Sequence, residues 1–185
     1  MSLYIGLVHY PVYNRKYQRI ASAITTLDLH DIARLARTYD VKKFYVITPL
    51  DDQQALAERV CRHWTKGYGA NYNLHRKEAI ELVDVVPTLE KAVNCIEKIE
   101  GETPLLVATD VCKQKYRSMS YKQARGIIQD GKCVILIFGT AWGLDKAVIN
   151  QADYVLEPIC GRTDYNHLSV RTAAAIILDR LAGRC

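Results

Sequence analysis

No apolar stretch in this sequence approaches the roughly 18 residues that a transmembrane helix needs. The opening residues, Met1-Ser-Leu-Tyr-Ile-Gly-Leu-Val-His9, lack the basic segment of a secretory signal, and their apolar run is too short for one. The expectation is a cytoplasmic chain with no membrane partner, whose first residues form a strand. Cysteine occurs at 61, 95, 112, 133, 160 and 185, never as a C-x-x-C pair. Zinc sites announce themselves by close ligand pairs, so no metal is expected. The thiols read as reduced small hydrophobes, with Cys112, Cys133 and Cys160 in or beside apolar strands and packed in the core. There is no G-x-x-x-x-G-K-[ST], which excludes P-loop chemistry. No G-x-G-x-x-G follows the first strand, which excludes the usual dinucleotide cradle, and no G-x-S-x-G elbow is present. Low-complexity linkers, internal repeats and coiled-coil heptads are also missing.

What remains is an ordinary globular composition, 49% hydrophobic and 24% charged over 185 residues, read as one domain spanning 1–185. Strand-like and helix-like segments alternate. Strands are predicted at 3–8, 43–48, 80–86, 105–109, 134–138 and 154–156. Helices are predicted at 27–38 with Asp28 as N-cap, from Asp51 or Asp52 through 64, from 88 to 99, and at 120–129, 144–150 and 166–181. The segment 67–76 reads as an irregular surface loop. Such alternation predicts an α/β fold: a mainly parallel sheet with helices on both faces.

The net charge of +5 is mild, but the cations cluster. Lys113, Lys115, Arg117, Lys122 and Arg125 share an acid-free segment with Tyr116 and Tyr121. Arg62, His63, Lys66, His75, Arg76 and Lys77 surround the loop holding Tyr68 and Tyr72. Arg15, Lys16 and Arg19 form a third group. Patches of this kind suit phosphate contact and base stacking; the alternative is a set of solvated faces.

Two loops leave predicted buried strands at the edge where α/β sheets bind ligands. The first is Gly139-Thr-Ala-Trp-Gly-Leu144. Its glycines permit close approach to the backbone, and Thr140 and Trp142 suit a small planar ligand; a tight strand-to-helix turn is the plainer reading. The second runs from Glu157 through Pro158 and Gly161 to Arg162, Asp164, Tyr165, Asn166, His167, Ser169 and Arg171, then into a helix. Asn166 or Asp164 is positioned to cap that helix, and its first amides face a carboxylate readily.

Together Phe138-Gly-Thr-Ala-Trp-Gly-Leu144 and Leu156-Glu-Pro-Ile-Cys-Gly161 with Tyr165-Asn-His-Leu-Ser-Val-Arg171 resemble the C-terminal motifs of the SPOUT superfamily, knotted S-adenosylmethionine-dependent RNA methyltransferases. The nearest resemblance is to the small bacterial subgroup described as SAM-dependent RNA methyltransferases. That subgroup also has segments like His9-Tyr-Pro-Val-Tyr13 and Leu27-Asp-Leu-His-Asp-Ile-Ala-Arg34. The resemblance implies a C-terminal deep trefoil knot, a homodimer that completes the site, and S-adenosylmethionine bound bent by loops after three strands. Thr109, Phe138, Gly139, Gly143, Leu144, Leu156, Pro158, Gly161, Asn166 and Ser169 would line that cofactor, with Ile159 and Leu168 against the adenine. Two positions depart from the subgroup: Ala141 stands where glycine is expected, and Asp110 where serine is.

The same resemblance places Arg34 on an arginine that approaches the target nucleotide; a surface Asp31–Arg34 pair is the plainer reading. Arg34, Asp164 and His167 are the candidates for activating the nucleophile. A carboxylate takes a proton from a base nitrogen, and an arginine favours ionisation of a ribose 2′-hydroxyl; both acceptors stay open. The implied substrate is tRNA or rRNA, with the segment 113–125 on its phosphates. The alternatives are a non-catalytic RNA-binding or assembly protein on the same fold and, behind it, a flavodoxin-like nucleotide binder.

Overall fold

The computed structural model describes residues 1–163 and 165–184. The chain runs β1 (Leu3–Val8), β2 (Val12–Tyr13), β3 (Arg19–Ile20), α1 (Thr26–Thr38), β4 (Lys43–Ile47), α2 (Asp51–Thr65), α3 (Tyr68–Tyr72), α4 (Leu74–Ile80) and β5 (Val83–Val86). It continues through α5 (Leu89–Glu100), β6 (Leu105–Thr109), β7 (Ser118–Met119), α6 (Tyr121–Gln129), β8 (Val134–Gly139), α7 (Lys146–Gln151), β9 (Tyr154–Leu156) and α8 (Val170–Ala182). Seven strands form one sheet in the order β5-β4-β1-β8-β6-β9-β7, and every pairing in it is parallel. The α/β architecture expected from the alternating segments is therefore present. No helix among the described residues is long and apolar enough to cross a membrane.

Both faces of the sheet are covered, which explains why the central strands β1 and β8 are continuous apolar runs rather than alternating ones. On one face Leu29 and Ile32 of α1, Ile128 of α6 and Ile177 of α8 join the core. On the other, Ala92 and Ile96 of α5 pack with Val148 of α7. Helix α8 lies against both α1 and α6. Strands laid down late are inserted between earlier ones: β8 fills the place between β1 and β6, and β9 the place between β6 and β7.

Several local expectations shift. Helix α1 is capped by Thr25, whose Oγ1 accepts from the Asp28 amide at 3.1 Å, while the Asp28 carboxylate takes the Thr25 hydroxyl proton at 2.6 Å. Asp28 is thus inside the first turn, where its charge suits the helix dipole. Asp51 and Asp52 act in the same way, since the N-cap of α2 is Leu50 and has no side-chain acceptor. The strand expected at 80–86 begins at Val83, because Ile80 closes α4. The segment 67–76 is mostly helical, in α3 and the start of α4, not irregular. The last helix starts at Val170, not at 166, capped by Ser169, whose Oγ accepts from Thr172 N at 3.2 Å. Asn166 therefore stays in the loop, and Asp164 lies outside the described residues. Of the three cysteines assigned to the core only Cys133 is buried; Cys112 and Cys160 are exposed in the loops that follow β6 and β9.

Candidate active site

Strands β8, β6 and β9 are neighbours, so the loops that leave their C-terminal ends emerge together. The Thr109 hydroxyl ties two of these ends by donating to Ile137 O at 3.0 Å. Phe138, Leu144 and Leu156 are buried to 5% exposure or less, so their side chains belong to the core and only their backbones can serve a ligand.

The middle loop is folded tightly on itself. A Cβ on Gly139 would lie 2.6 Å from Leu144 N and 2.9 Å from Gly143 C, both backbone atoms. The glycine is thus required by the turn itself. Gly143 has φ +100°, and Ala141 has φ 52°. The left-handed region explains why glycine was the expected residue at 141. Relief of that strain, roughly 1–2 kcal/mol, is partly offset by the freer unfolded chain of a glycine variant, roughly 0.5–1 kcal/mol. Ala141→Gly should therefore raise the melting temperature by about 1–3 °C, and Ala141→Val should lower it, as scanning calorimetry would record.

A feature not anticipated from the sequence straps this loop down. The residues after β1 form the two-stranded ribbon β2–β3, whose strands of two residues are too short to show a period. Tyr13 N donates to Gly143 O at 3.0 Å, Trp142 N to Tyr13 O at 2.9 Å, and Asp145 N to Pro11 O at 3.2 Å. Arg19 then reaches Asp145 with two hydrogen bonds of 2.9 and 3.1 Å. Asp145 is 2% exposed and also caps α7 through Ala147 N at 2.7 Å. Its hydrogen bonds to Arg19 hold its carboxyl below the usual carboxylate range. This stabilisation is complete above the unfolded carboxyl's pKa of about 3.9 and is lost as the pH falls through the lower folded value. Asp145→Asn should thus lower the melting temperature at neutral pH by about 4–8 °C, for roughly 2 kcal/mol of lost charged hydrogen bonding to Arg19, since asparagine still caps α7. The gap to wild type should begin to narrow below about pH 4 and close once the pH is below the folded carboxyl's lowered pKa.

A buried relay lies beneath the same loop. Thr140 Oγ1 donates to Val8 O at 3.0 Å, and Ser22 Oγ lies 2.5 Å from Thr140 Oγ1. The His9 Nδ1 lies 3.1 Å from Ser22 Oγ, within hydrogen-bond reach. His9 is fully buried and its Nε2 has no partner among the described residues. Burial, opposed by Asp28, holds the imidazole below its usual range and hence neutral.

The third loop is anchored at its start and open beyond. Glu157 N donates to Met119 O, and its carboxylate accepts from Tyr121 N, each at 2.8 Å. Ile159 packs on the core. The amides of Ile159, Cys160 and Gly161 donate to nothing among the described residues, and a Cβ on Gly161 would meet open space. Asn166 Nδ2 donates to Val111 O at 3.3 Å, bridging to the loop after β6. Within that loop the Asp110 carboxylate accepts from Cys112 N at 3.1 Å and Gln114 Nε2 at 2.6 Å, so it shapes its own turn. Tyr165, His167 and Leu168 are exposed.

The structure does not bring all expected residues together. Arg34 is exposed on α1 and does not pair with Asp31. Asp31 instead meets Arg171, at 3.2 Å, and Arg171 also reaches Asp28 at 3.4 Å. A cation in the first turn of α8 opposes that helix's dipole, and two acids of α1 offset it. Arg171 stood in the polar run noted in the sequence, but its partners, some 140 residues away, left no local trace.

The family model for "SAM-dependent RNA methyltransferase" matches residues 2–183. A protein of Oleidesulfovibrio alaskensis named tRNA (guanine-N(1)-)-methyltransferase is 42% identical over 182 residues, which are 98% of this chain but only 42% of that protein. An uncharacterized protein of Aquifex aeolicus is 41% identical over 99% of this chain and 89% of its own length. Among solved structures, the SpoU methyltransferase AviRb of Streptomyces viridochromogenes, in complex with AdoMet, shares the fold at a TM-score of 0.59. It is 17% identical over 97% of this chain and 58% of its own.

Proposed function

Since the chain belongs to the SAM-dependent RNA methyltransferase family, we propose that it transfers a methyl group from S-adenosylmethionine to tRNA or rRNA, acting in the cytoplasm as a homodimer of single-domain protomers. The observation that carries the proposal is the set of amides at Ile159, Cys160 and Gly161 that have no acceptor among the described residues, on the loop that follows β9 and beside the tight Gly139–Gly143 turn that follows β8. A zwitterionic, planar-ringed ligand needs such donors together with apolar walls. The backbones of Thr109, Phe138, Gly139, Gly143, Leu144, Leu156, Pro158 and Gly161 hold the cofactor. Ile159 and Leu168 flank the adenine. Asn166 keeps two loops in register, and Ser169 sets the start of α8. The late insertion of β8 and β9 and the packing of α8 against α1 and α6 are compatible with a C-terminal trefoil knot, which forms part of this reading.

When bound, the cofactor supplies an electrophilic methyl sulfonium. The residues of the chain then have to align an acceptor and remove its proton. His167, exposed in the third loop, and Asp164, outside the described residues, serve as proton acceptors. Arg34 is exposed on α1 and forms no ion pair among the described residues, so it is available to the RNA at its own protomer's site or at the second protomer's. The guanine-N1 reaction for which the Oleidesulfovibrio protein is named belongs to a chain more than twice as long. Calorimetric titration with S-adenosylmethionine and S-adenosylhomocysteine tests the site: saturable heat is expected, and none at millimolar ligand would contradict it. Digestion of methylated RNA to nucleosides, followed by mass spectrometry, separates base from ribose products.

A further inference from the structure

Three basic clusters stand out in the sequence, and in two of them the arginines are committed to partners within the fold, while Arg15, Lys16, Lys113, Lys115 and Lys122 stay exposed. Arg117 donates to Asn150 O and Ala152 O, each at 3.0 Å. Arg125 donates to Arg180 O at 3.2 Å and Gly183 O at 2.7 Å, which satisfies carbonyls at the end of α8. Arg19 is committed to Asp145. The expectation that the whole segment 113–125 meets phosphates is thereby reduced to its exposed lysines.

The remaining cluster is different. Residues 59–77 contain no Asp or Glu. Arg59, Arg62 and Lys66 follow one another at spacings of three and four, along one side of α2 and its C-terminal end. All three are exposed and form no ion pair among the described residues. Arg62 and Lys66 share a groove of about 430 Å³ with Glu58 and Asp84, yet pair with neither. Beside this stripe, Tyr68 and Tyr72 are 75% and 73% exposed, with rings stacked at 5.9 Å and 23°.

These tyrosines are rigidly presented. A Cβ on Gly69 would lie 2.6 Å from Trp64 Cε3, so α3 sits directly on the indole. Trp64 is held in turn by the edges of His30 and His63, at 5.3 and 5.1 Å, and by Arg76 stacked at 4.8 Å. Exposed aromatic rings lose stability by standing in water, and here they stand fixed beside unpaired cations. His30 carries the surface onto α1, and Arg34 lies one turn further along that helix.

We propose that this face of α2, α3 and α4 docks an unpaired stretch of RNA, its bases stacked on Tyr68 and Tyr72 and its phosphates against Arg59, Arg62 and Lys66. The inference rests on the RNA-methyltransferase reading and names the surface that holds the substrate. Stacking on an aromatic ring tolerates any base, so this face supplies affinity and the methyl-transfer site supplies choice. The α1 helix links the two, which lets a docked strand continue toward Arg34.

Fluorescence anisotropy on the full chain tests it, with a labelled oligouridine of about twenty nucleotides and unfractionated bacterial tRNA as probes. Tyr68→Ala with Tyr72→Ala should weaken oligouridine binding roughly tenfold or more, while the double Phe variant stays within about twofold of wild type. Arg62→Ala with Lys66→Ala should weaken both probes and reduce the log–log salt slope by about 1.4, or about 0.7 per lost phosphate contact. Calorimetric affinity for S-adenosylhomocysteine should be unchanged in every variant, which also reports that the fold is intact. Wild-type affinity for both RNAs in the alanine variants would overturn the docking face alone. Loss of binding to phosphatidylserine vesicles with RNA binding kept would overturn it in favour of a membrane surface. A wild-type protein that binds S-adenosylhomocysteine but neither RNA would overturn the RNA reading and this face with it.

Discussion

Gly139→Val should abolish measurable S-adenosylmethionine binding and lower the melting temperature by about 10 °C. The first new carbon would meet Leu144 N and Gly143 C, backbone atoms held in place from outside the turn by Tyr13, Pro11 and Arg19. Nothing flexible can yield, so the loop opens or the strand end shifts. Overpacking of this kind costs about 3 kcal/mol, and a chain of this length loses about 2–4 °C per kcal/mol. Gly161→Ala is the contrast. Its Cβ meets open space, so the melting temperature should hold while cofactor affinity falls if that backbone faces the ligand. Wild-type affinity in both variants, measured by calorimetry, would refute the assignment of these loops to the cofactor.

Arg34→Ala should reduce methyl transfer about a hundredfold or more while leaving S-adenosylhomocysteine affinity within about twofold, the scale seen when one charge-stabilising donor is removed from an active site. The residue is exposed and forms no ion pair among the described residues, while Arg171 is held by Asp28 and Asp31. Its effect on turnover runs through the RNA, either at its own protomer's site or at its partner's. Mixed dimers decide between these routes. Arg34→Ala protomers combined with Gly139→Val protomers, assayed well below the melting point of the latter, regain activity if the arginine serves its partner's site. They stay inactive if it serves its own.

Much of the frame was legible because its signals are local. Continuous apolar runs at β1, β6 and β8 mark strands buried on both faces, and Thr88 and Ser120 cap α5 and α6 as their positions before periodic segments imply. Boundaries failed where two local options compete. Asn166 is a good cap by type, but Ser169 wins because Thr172 follows at the right spacing and Asn166 is drawn to Val111. Cys112 and Cys160 lie next to apolar strands yet past the point where the sheet ends, and so they are exposed. The strap that fixes the middle loop was illegible, since Arg19 and Asp145 meet only through folding and β2 and β3 are two residues each. The same holds for His9, Ser22 and Thr140, whose relay joins residues up to 132 positions apart. Motif resemblance found the loops; it could not find what supports them.

The most direct measurement is transfer of a labelled methyl group from S-adenosylmethionine to total RNA taken from a cell that lacks this protein, with the wild-type chain and Gly139→Val in parallel. Label recovered in tRNA or rRNA with the wild type, and none with Gly139→Val, is the expected result. Saturable cofactor binding with no label in any RNA, or label that persists in the Gly139→Val reaction, would contradict an RNA methyltransferase whose cofactor lies at the ends of β6, β8 and β9.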